Sequence, residues 1–286
     1  MAARLCPYCK ELNSVGERRC YRCGRRLPGP AADGALRVVQ QVLGVEAPVT
    51  RILLFLELAV FALCVIVEHT IPDGIGFFGF LGLKPAFSAS TLLRFGALGG
   101  TLGHTEPWRY LSAVFVHAGA LHVGMNLWIF TSLGYALERE LGGARFALLF
   151  LLSGALGFVA SSYWYAPVEP LTMGASGGVF GQIGAWVGIL GARRDPEWKN
   201  VFVRNLIYAV LLSLALGNVN TPAHLGGFAA GIALGFLFGR EKPSWRLEWP
   251  LRLLAAVGLC AVVASVGLSM RSPIWQVVHL QESRYE

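Results

Sequence analysis

The sequence predicts an all-α polytopic membrane protein, and three observations carry that reading. Of its 286 residues 55% are hydrophobic and only 14% charged, with a mean hydropathy of +0.55. Soluble domains carry about 25% charged residues. Apolar runs of roughly 20 residues, each long enough to cross a bilayer as a helix, recur along the chain. The 24 Lys and Arg residues behind the net charge of +7 are shared unevenly among the segments joining those runs. Low charge with high hydrophobicity excludes disorder. The 35 glycines follow no Gly-X-Y period, which excludes collagen.

In chain order, residues 1–30 read as a polar, cysteine-bearing head and 31–50 as a linker. Met1 is not followed by an apolar stretch with a cleavage site, so no secretory signal peptide is expected. The membrane domain is predicted over 51–270, with spans at about 51–71, 110–133, 145–165, 171–191, 203–219, 222–239 and 250–270. Each is an apolar run of spanning length bounded by charged or Gly/Pro-rich residues. The stretch from Pro72 to Arg109 is apolar but broken by Pro85 and repeated glycines. It is expected as short pieces lying in the interface or embedded among helices. Residues 271–286 are expected as an external tail.

Charge sets the expected orientation. With the head inside, nine Lys/Arg up to Arg51 are internal. So are Arg139 and Arg145, then Arg193, Arg194, Lys199 and Arg204, then Arg240, Lys242, Arg246 and Arg252. That places 19 of the 24 inside; the outer segments hold Lys84, Arg94, Arg109, Arg271 and Arg284. The positive-inside rule then gives a cytoplasmic N-terminus and an external C-terminus, in the cell membrane. It also accounts for the basic charge, so no nucleic-acid partner is expected.

Cys6-Pro7-Tyr8-Cys9 and Cys20-Tyr21-Arg22-Cys23 form a CxxC-x10-CxxC pattern. Two thiolates from one tight turn reach the same metal, and two such turns close a tetrahedral site. A zinc-ribbon-like head holding a structural zinc ion on Cys6, Cys9, Cys20 and Cys23 is expected; a rubredoxin-like iron site and a dithiol redox pair are the alternatives. Four thiolates leave no open coordination position, so the metal would not be catalytic. Such a head could recruit a cytoplasmic partner or meet anionic lipid headgroups through its arginines. Cys64 and Cys260 lie inside spans and read as small buried apolar residues.

Polar groups inside spans are costly and therefore informative. The second span carries His117, His122 and Asn126; the fourth opens on Gly174-Ala175-Ser176-Gly177-Gly178; the sixth opens on Ala223-His224-Leu225-Gly226-Gly227. All three run from outside to inside in the expected topology, which puts Ser176 and His224 at similar depth. His122 and Asn126 are i and i+4 and share a helix face. His117 would lie about 140° around a regular helix from His122, so it reads as structural or as a polar neighbour. Glycines every four residues from Gly227 to Gly239, and Gly177, Gly181, Gly184 and Gly188 in a similar pattern, form small-residue faces that let two helices approach closely. The G-x-S-x-G match also fits an α/β-hydrolase elbow, but the only acids between Ser176 and His224, Asp195 and Glu197, lie on the inner side. A Ser176–His224 dyad remains.

Taken together, Glu106-Pro107-Trp108-Arg109, then His117, His122 and Asn126 as HxxxxHxxxN, then GASG around Ser176, then AHxxGxxxG from Ala223 to Gly231, resemble the rhomboid intramembrane serine proteases. The resemblance runs from about residue 50 to 270, and the seventh span is similar to the six-plus-one arrangement of many members. It implies a seven-helix rhomboid-like bundle and a serine endopeptidase acting on single-span membrane proteins, with no cofactor in catalysis. Ser176 would be the nucleophile and His224 its base. His122, Asn126 and the Ser176 backbone N–H would hold the oxyanion. Gly174 and Gly177 would let the chain bend and the substrate backbone approach. Phe180 stands where the family often has a tyrosine packed on the histidine. Trp108 and Arg109 would anchor the interfacial loop, and the fifth span with its following loop, near 217–223, would gate the site. A catalytically silent rhomboid-like binding protein is the competing reading. A transporter would need a polar pathway; its main candidate is Glu57, expected near the inner surface, and paired repeats are missing.

Overall fold

The computed structural model describes residues 3–6, 11–14, 16–24, 26–27, 47–69, 87–216, 219–240 and 245–283. Cys9, residues 28–30 of the predicted head, 31–46 of the predicted linker, and 217–218 of the predicted gate lie outside these residues. In the head, β1 (Ala3–Leu5) pairs antiparallel with β2 (Leu12–Ser14). The remaining elements are α1 (Pro48–His69), α2 (Ala89–Phe95), β3 (Leu98–Gly100), α3 (Leu102–Thr105), α4 (Arg109–Ser112), α5 (Ala120–Leu141) and α6 (Gly143–Tyr165). They continue as β4 (Glu169–Thr172), α7 (Ser176–Ala192), α8 (Glu197–Leu216), α9 (Thr221–Arg240), α10 (Trp245–Arg271) and α11 (Ile274–Glu282).

The result is a polytopic helical bundle. Among the described residues α1, α6, α9 and the Glu248–Arg271 part of α10 are long and apolar enough to cross a membrane; the bent pair Arg109–Phe115 and Ala120–Leu141 adds a fifth. Helix α7, 17 residues long, is the central one and packs against both α6 and α9. Its small-residue face meets that of α9 as expected. A Cβ on Gly231 would stand 2.1 Å from the Gly181 carbonyl oxygen, so only glycine there allows the two backbones to touch.

Two predicted spans are corrected. The second, expected over 110–133, is bent by 95°: α4 and a 3-10 turn (Ala113–Phe115) lead into an extended segment, and the helix runs only from Ala120 to Leu141. Beyond the 3.4 Å bond from Val116 N–H that closes the 3-10 turn, the Ala113 carbonyl accepts from Gly174 N–H at 2.8 Å. Apolar periodicity alone does not reveal such a tertiary bond. The fourth span, expected from 171, begins at Ser176, because Glu169–Thr172 pair as β4 with β3.

Of the broken stretch before Arg109, residues 72–86 lie outside the described residues; from residue 87 on it folds into short elements, and Arg109 is what ties them together. Its fully buried guanidinium donates to Glu106 Oε2 (2.5 Å), Leu93 O (2.7 Å) and Ala97 O (3.0 Å). Glu106 in turn accepts from Ser272 Oγ at 2.6 Å, joining this loop to the end of α10. Trp108 is half-buried next to it. Glu138 accepts from Val49 N–H and Thr50 N–H, satisfying orphan donors at the start of α1. Beyond α10, the predicted tail forms α11, whose Glu282 Oε1 accepts from Ala89 N–H at the start of α2. Cys64 is buried as expected, whereas Cys260 is exposed on the outer face of α10.

Candidate active site

Ser176 is the first residue of α7, and the turn before it is fixed from two sides. Gly174 adopts φ +121°, the left-handed region open to glycine. A Cβ there would also fall 2.8 Å from His122 Nε2, so the turn and the imidazole lie in contact range. Gly174 N–H is bonded to Ala113 O, and Ala175 N–H donates to His117 Nε2 at 3.3 Å. The first intrahelical bond, Val179 N–H to Ala175 O, leaves the Ser176 N–H among the donors that a helix start does not satisfy internally. That end also carries the partial positive charge of the helix dipole.

His224 comes from the first turn of α9. Asn220 caps this helix: its Oδ1 accepts from Ala223 N–H at 3.0 Å and its carbonyl from His224 N–H at 3.1 Å. The Asn220 amide also donates to Ser161 Oγ and Thr172 Oγ1, and Ser161 and Ser162 both donate to the buried carboxylate of Glu169. This network ties α6, β4 and α9 together beside the site. His224 Nε2 stands 2.8 Å from Ser176 Oγ. An Nε2 that accepts the serine proton requires the proton on Nδ1, and Nδ1 is buried with no hydrogen-bond partner among the described residues. Among the described residues no carboxylate therefore orients this imidazole. Phe180 does so by stacking, with ring centroids 4.3 Å apart and planes 19° from parallel.

On α5, Ala118 N–H points to His122 Nδ1 at 3.4 Å, leaving Nε2–H as the donor on the side of the Gly174 turn. Asn126 Nδ2 donates one proton to His122 O at 2.9 Å, and its amide retains a second. His117 lies in the extended segment before α5, so the helical angle expected from the sequence does not apply to it. Its ring meets the His122 ring edge-on at 5.0 Å. Gly177 fills the small-residue role read for it from the glycine spacing. It lies inside α7 against α9, where a Cβ on Gly227 would stand 2.1 Å from the Gly177 carbonyl oxygen. It serves helix approach rather than the bend before Ser176.

Sequence reasoning missed Asn220 and Glu169, and weighed Glu57 only as a transporter residue. Asn220 carried a legible signal, a capping residue type immediately before a predicted helix. Glu169 and Glu57 carried none beyond being acids in apolar surroundings. Glu57, expected near the inner surface, is fully buried against His117.

In the head, Cys6, Cys20 and Cys23 bring their sulfurs within 4.8 Å of one another, and Cys6 and Cys23 lie 3.7 Å apart. Tetrahedral bonds of about 2.3 Å to one zinc put sulfurs about 3.8 Å apart. Asn13 Nδ2 stands 3.5 Å from Cys20 Sγ, a contact of the kind that orients a metal-bound thiolate.

A serine and a histidine paired at the starts of two closely packed helices, inside a polytopic bundle, define a membrane-embedded site with the parts for acyl transfer. The Rhomboid domain matches residues 104–241, which hold that whole site. The chain is 34% identical over 140 residues to YdcA of Bacillus subtilis (strain 168), covering 48% of this chain and 70% of that relative. It is 30% identical over 213 residues to rhomboid protease GluP of the same organism (70% of this chain, 41% of GluP). With RHOMBOID-like protein 1 of Arabidopsis thaliana it shares 35% identity over 158 residues (53% and 40%). This chain belongs to the rhomboid family. It matches only about two fifths of the length of GluP and of RHOMBOID-like protein 1.

Proposed function

We propose that this chain is an intramembrane serine endopeptidase that hydrolyses peptide bonds in or near the helices of single-span membrane proteins. The observation that carries the reading is the 2.8 Å contact between Ser176 Oγ and His224 Nε2 at the head of α7. His224 takes the serine proton as Oγ attacks the scissile carbonyl, then gives it to the leaving amine; water reverses the sequence to release the acyl group. The Ser176 N–H, His122 Nε2–H and the free Asn126 amide proton stabilise the oxyanion. Substrates enter sideways. A groove of about 460 Å³ between α5, α7 and α8, lined by Trp128, Leu133, Trp186 and Val201, suits the flank of an apolar helix. The favoured cleavage site has a small residue in a helix end that unwinds easily, because a regular helix shields its carbonyls. The site faces outward, the head inward, in the plasma membrane.

The test is cleavage of a model single-span protein by the native chain in liposomes. A serine-directed fluorophosphonate should block cleavage and label Ser176. A folded chain that cuts none of several substrates, or one that cuts while labelled, would sink the proposal.

We further propose that the head binds structural zinc through Cys6, Cys20 and Cys23, with Cys9 as fourth ligand, and offers a cytoplasmic docking surface. Cys6→Ser combined with Cys20→Ser should release about one zinc per chain by elemental analysis while intramembrane cleavage stays within about twofold. Unchanged zinc content would remove the site, and lost cleavage in folded protein would show that head and dyad are coupled.

A further inference from the structure

The acid missing behind His224 has a counterpart elsewhere. Glu57 of α1 is fully buried, and its Oε2 stands 3.5 Å from His117 Nδ1, also fully buried. That separation is longer than a well-made hydrogen bond. Yet neither Glu57 oxygen, nor His117 Nδ1, has a hydrogen-bond partner among the described residues. The other face of the imidazole is committed: Nε2 accepts from Ala175 N–H, the residue before the nucleophile. An Nε2 that accepts puts the proton on Nδ1, the ring nitrogen that stands 3.5 Å from Glu57 Oε2. The same ring lies edge-on to His122. One carboxylate on α1 therefore faces an imidazole that touches both the nucleophile's turn and the oxyanion histidine. A buried carboxylate with no other partner is costly, and packing alone would favour an apolar residue at this position.

We propose that Glu57 and His117 form a buried carboxyl–imidazole pair that holds the Ala175–Ser176 backbone and the His122 ring in register for oxyanion binding. They are positioning residues, touching no substrate; the inference rests on the peptidase reading above. Glu57 fixes the Nδ1–H tautomer of His117, that tautomer keeps Nε2 as an acceptor, and the acceptor holds Ala175 N–H. Releasing Ala175 frees the next peptide, whose N–H is an oxyanion donor. The loss should thus fall on the chemical step rather than on substrate binding.

The experiment is a double-mutant cycle on the full chain in liposomes, reading kcat and KM for one single-span substrate. Glu57→Leu should lower kcat about 10- to 100-fold with KM within about twofold. Glu57→Gln, which keeps an acceptor oxygen for Nδ1–H, should stay within about threefold of native. His117→Phe should lose about as much as Glu57→Leu, and the double variant no more than either alone. Native kcat in folded Glu57→Leu, losses that multiply in the double variant, or Glu57→Gln as impaired as Glu57→Leu would each overturn the proposal. Should Glu57→Leu not fold, a cycle of Glu57→Gln with His117→Asn applies the same criterion, since its smaller losses must again fail to multiply. An inactive native chain would overturn the peptidase reading itself, whereas an active native chain with an unaffected Glu57→Leu overturns only the pairing.

Discussion

Ser176→Ala and His224→Ala are each expected to lower cleavage by at least about 1,000-fold, and the double variant should be little worse than either. Nucleophile and base act as a unit, so removing one disables the other. The two single variants differ in one respect. His224→Ala also removes the ring stacked on Phe180, so it should lower thermal stability slightly more than Ser176→Ala. The measurement is liposome cleavage with melting followed in parallel. Residual activity above about one tenth of native in either folded variant would show that another residue supplies the nucleophile or the base.

Gly227→Ala, a change of one methyl group away from the reacting atoms, is expected to have the next largest effect. The added Cβ would stand 2.1 Å from the Gly177 carbonyl oxygen and 3.0 Å from Gly177 Cα, and both are backbone, so α7 or α9 must shift. Gly227 lies three residues after His224 and Gly177 one after Ser176, so the shift separates the dyad. A displacement of about 1 Å costs roughly 100-fold in rate, and overpacking costs about 1–3 kcal/mol of stability. Gly124→Ala is the control: nothing lies within 4 Å of its Cβ position. It should leave cleavage near native and melting unchanged or slightly raised. Equal behaviour of the two variants would show that the α7–α9 contact does not set the dyad distance.

The membrane class, the order of the spans and the residue types of the site were legible because hydrocarbon penalises polar groups so heavily. His117, His122, Asn126, Ser176 and His224 stand out against apolar neighbours without any coordinates. The glycine spacing on α7 and α9 was equally legible, since residues three or four apart return to nearly the same helix face. The second span was not. Its apolar run continues through Ala113–Gly119, but a long-range bond to Gly174 pulls that segment out of helix. Pattern reading measures local periodicity, and a contact between residues 61 apart lies outside its window.

The sequence by itself determined that this is a polytopic bundle with a serine, three histidines and an asparagine placed within apolar spans. Burial cost is paid residue by residue and leaves a local mark. Tertiary structure alone decided the 2.8 Å separation of Ser176 and His224, the break in the chain before α5, and that Glu57 faces His117. Those outcomes depend on how closely α7 and α9 approach, where α5 begins, and how α1 leans on the turn before Ser176. Each is a distance between segments far apart in the chain, set by packing of whole helix faces, and no single residue records it.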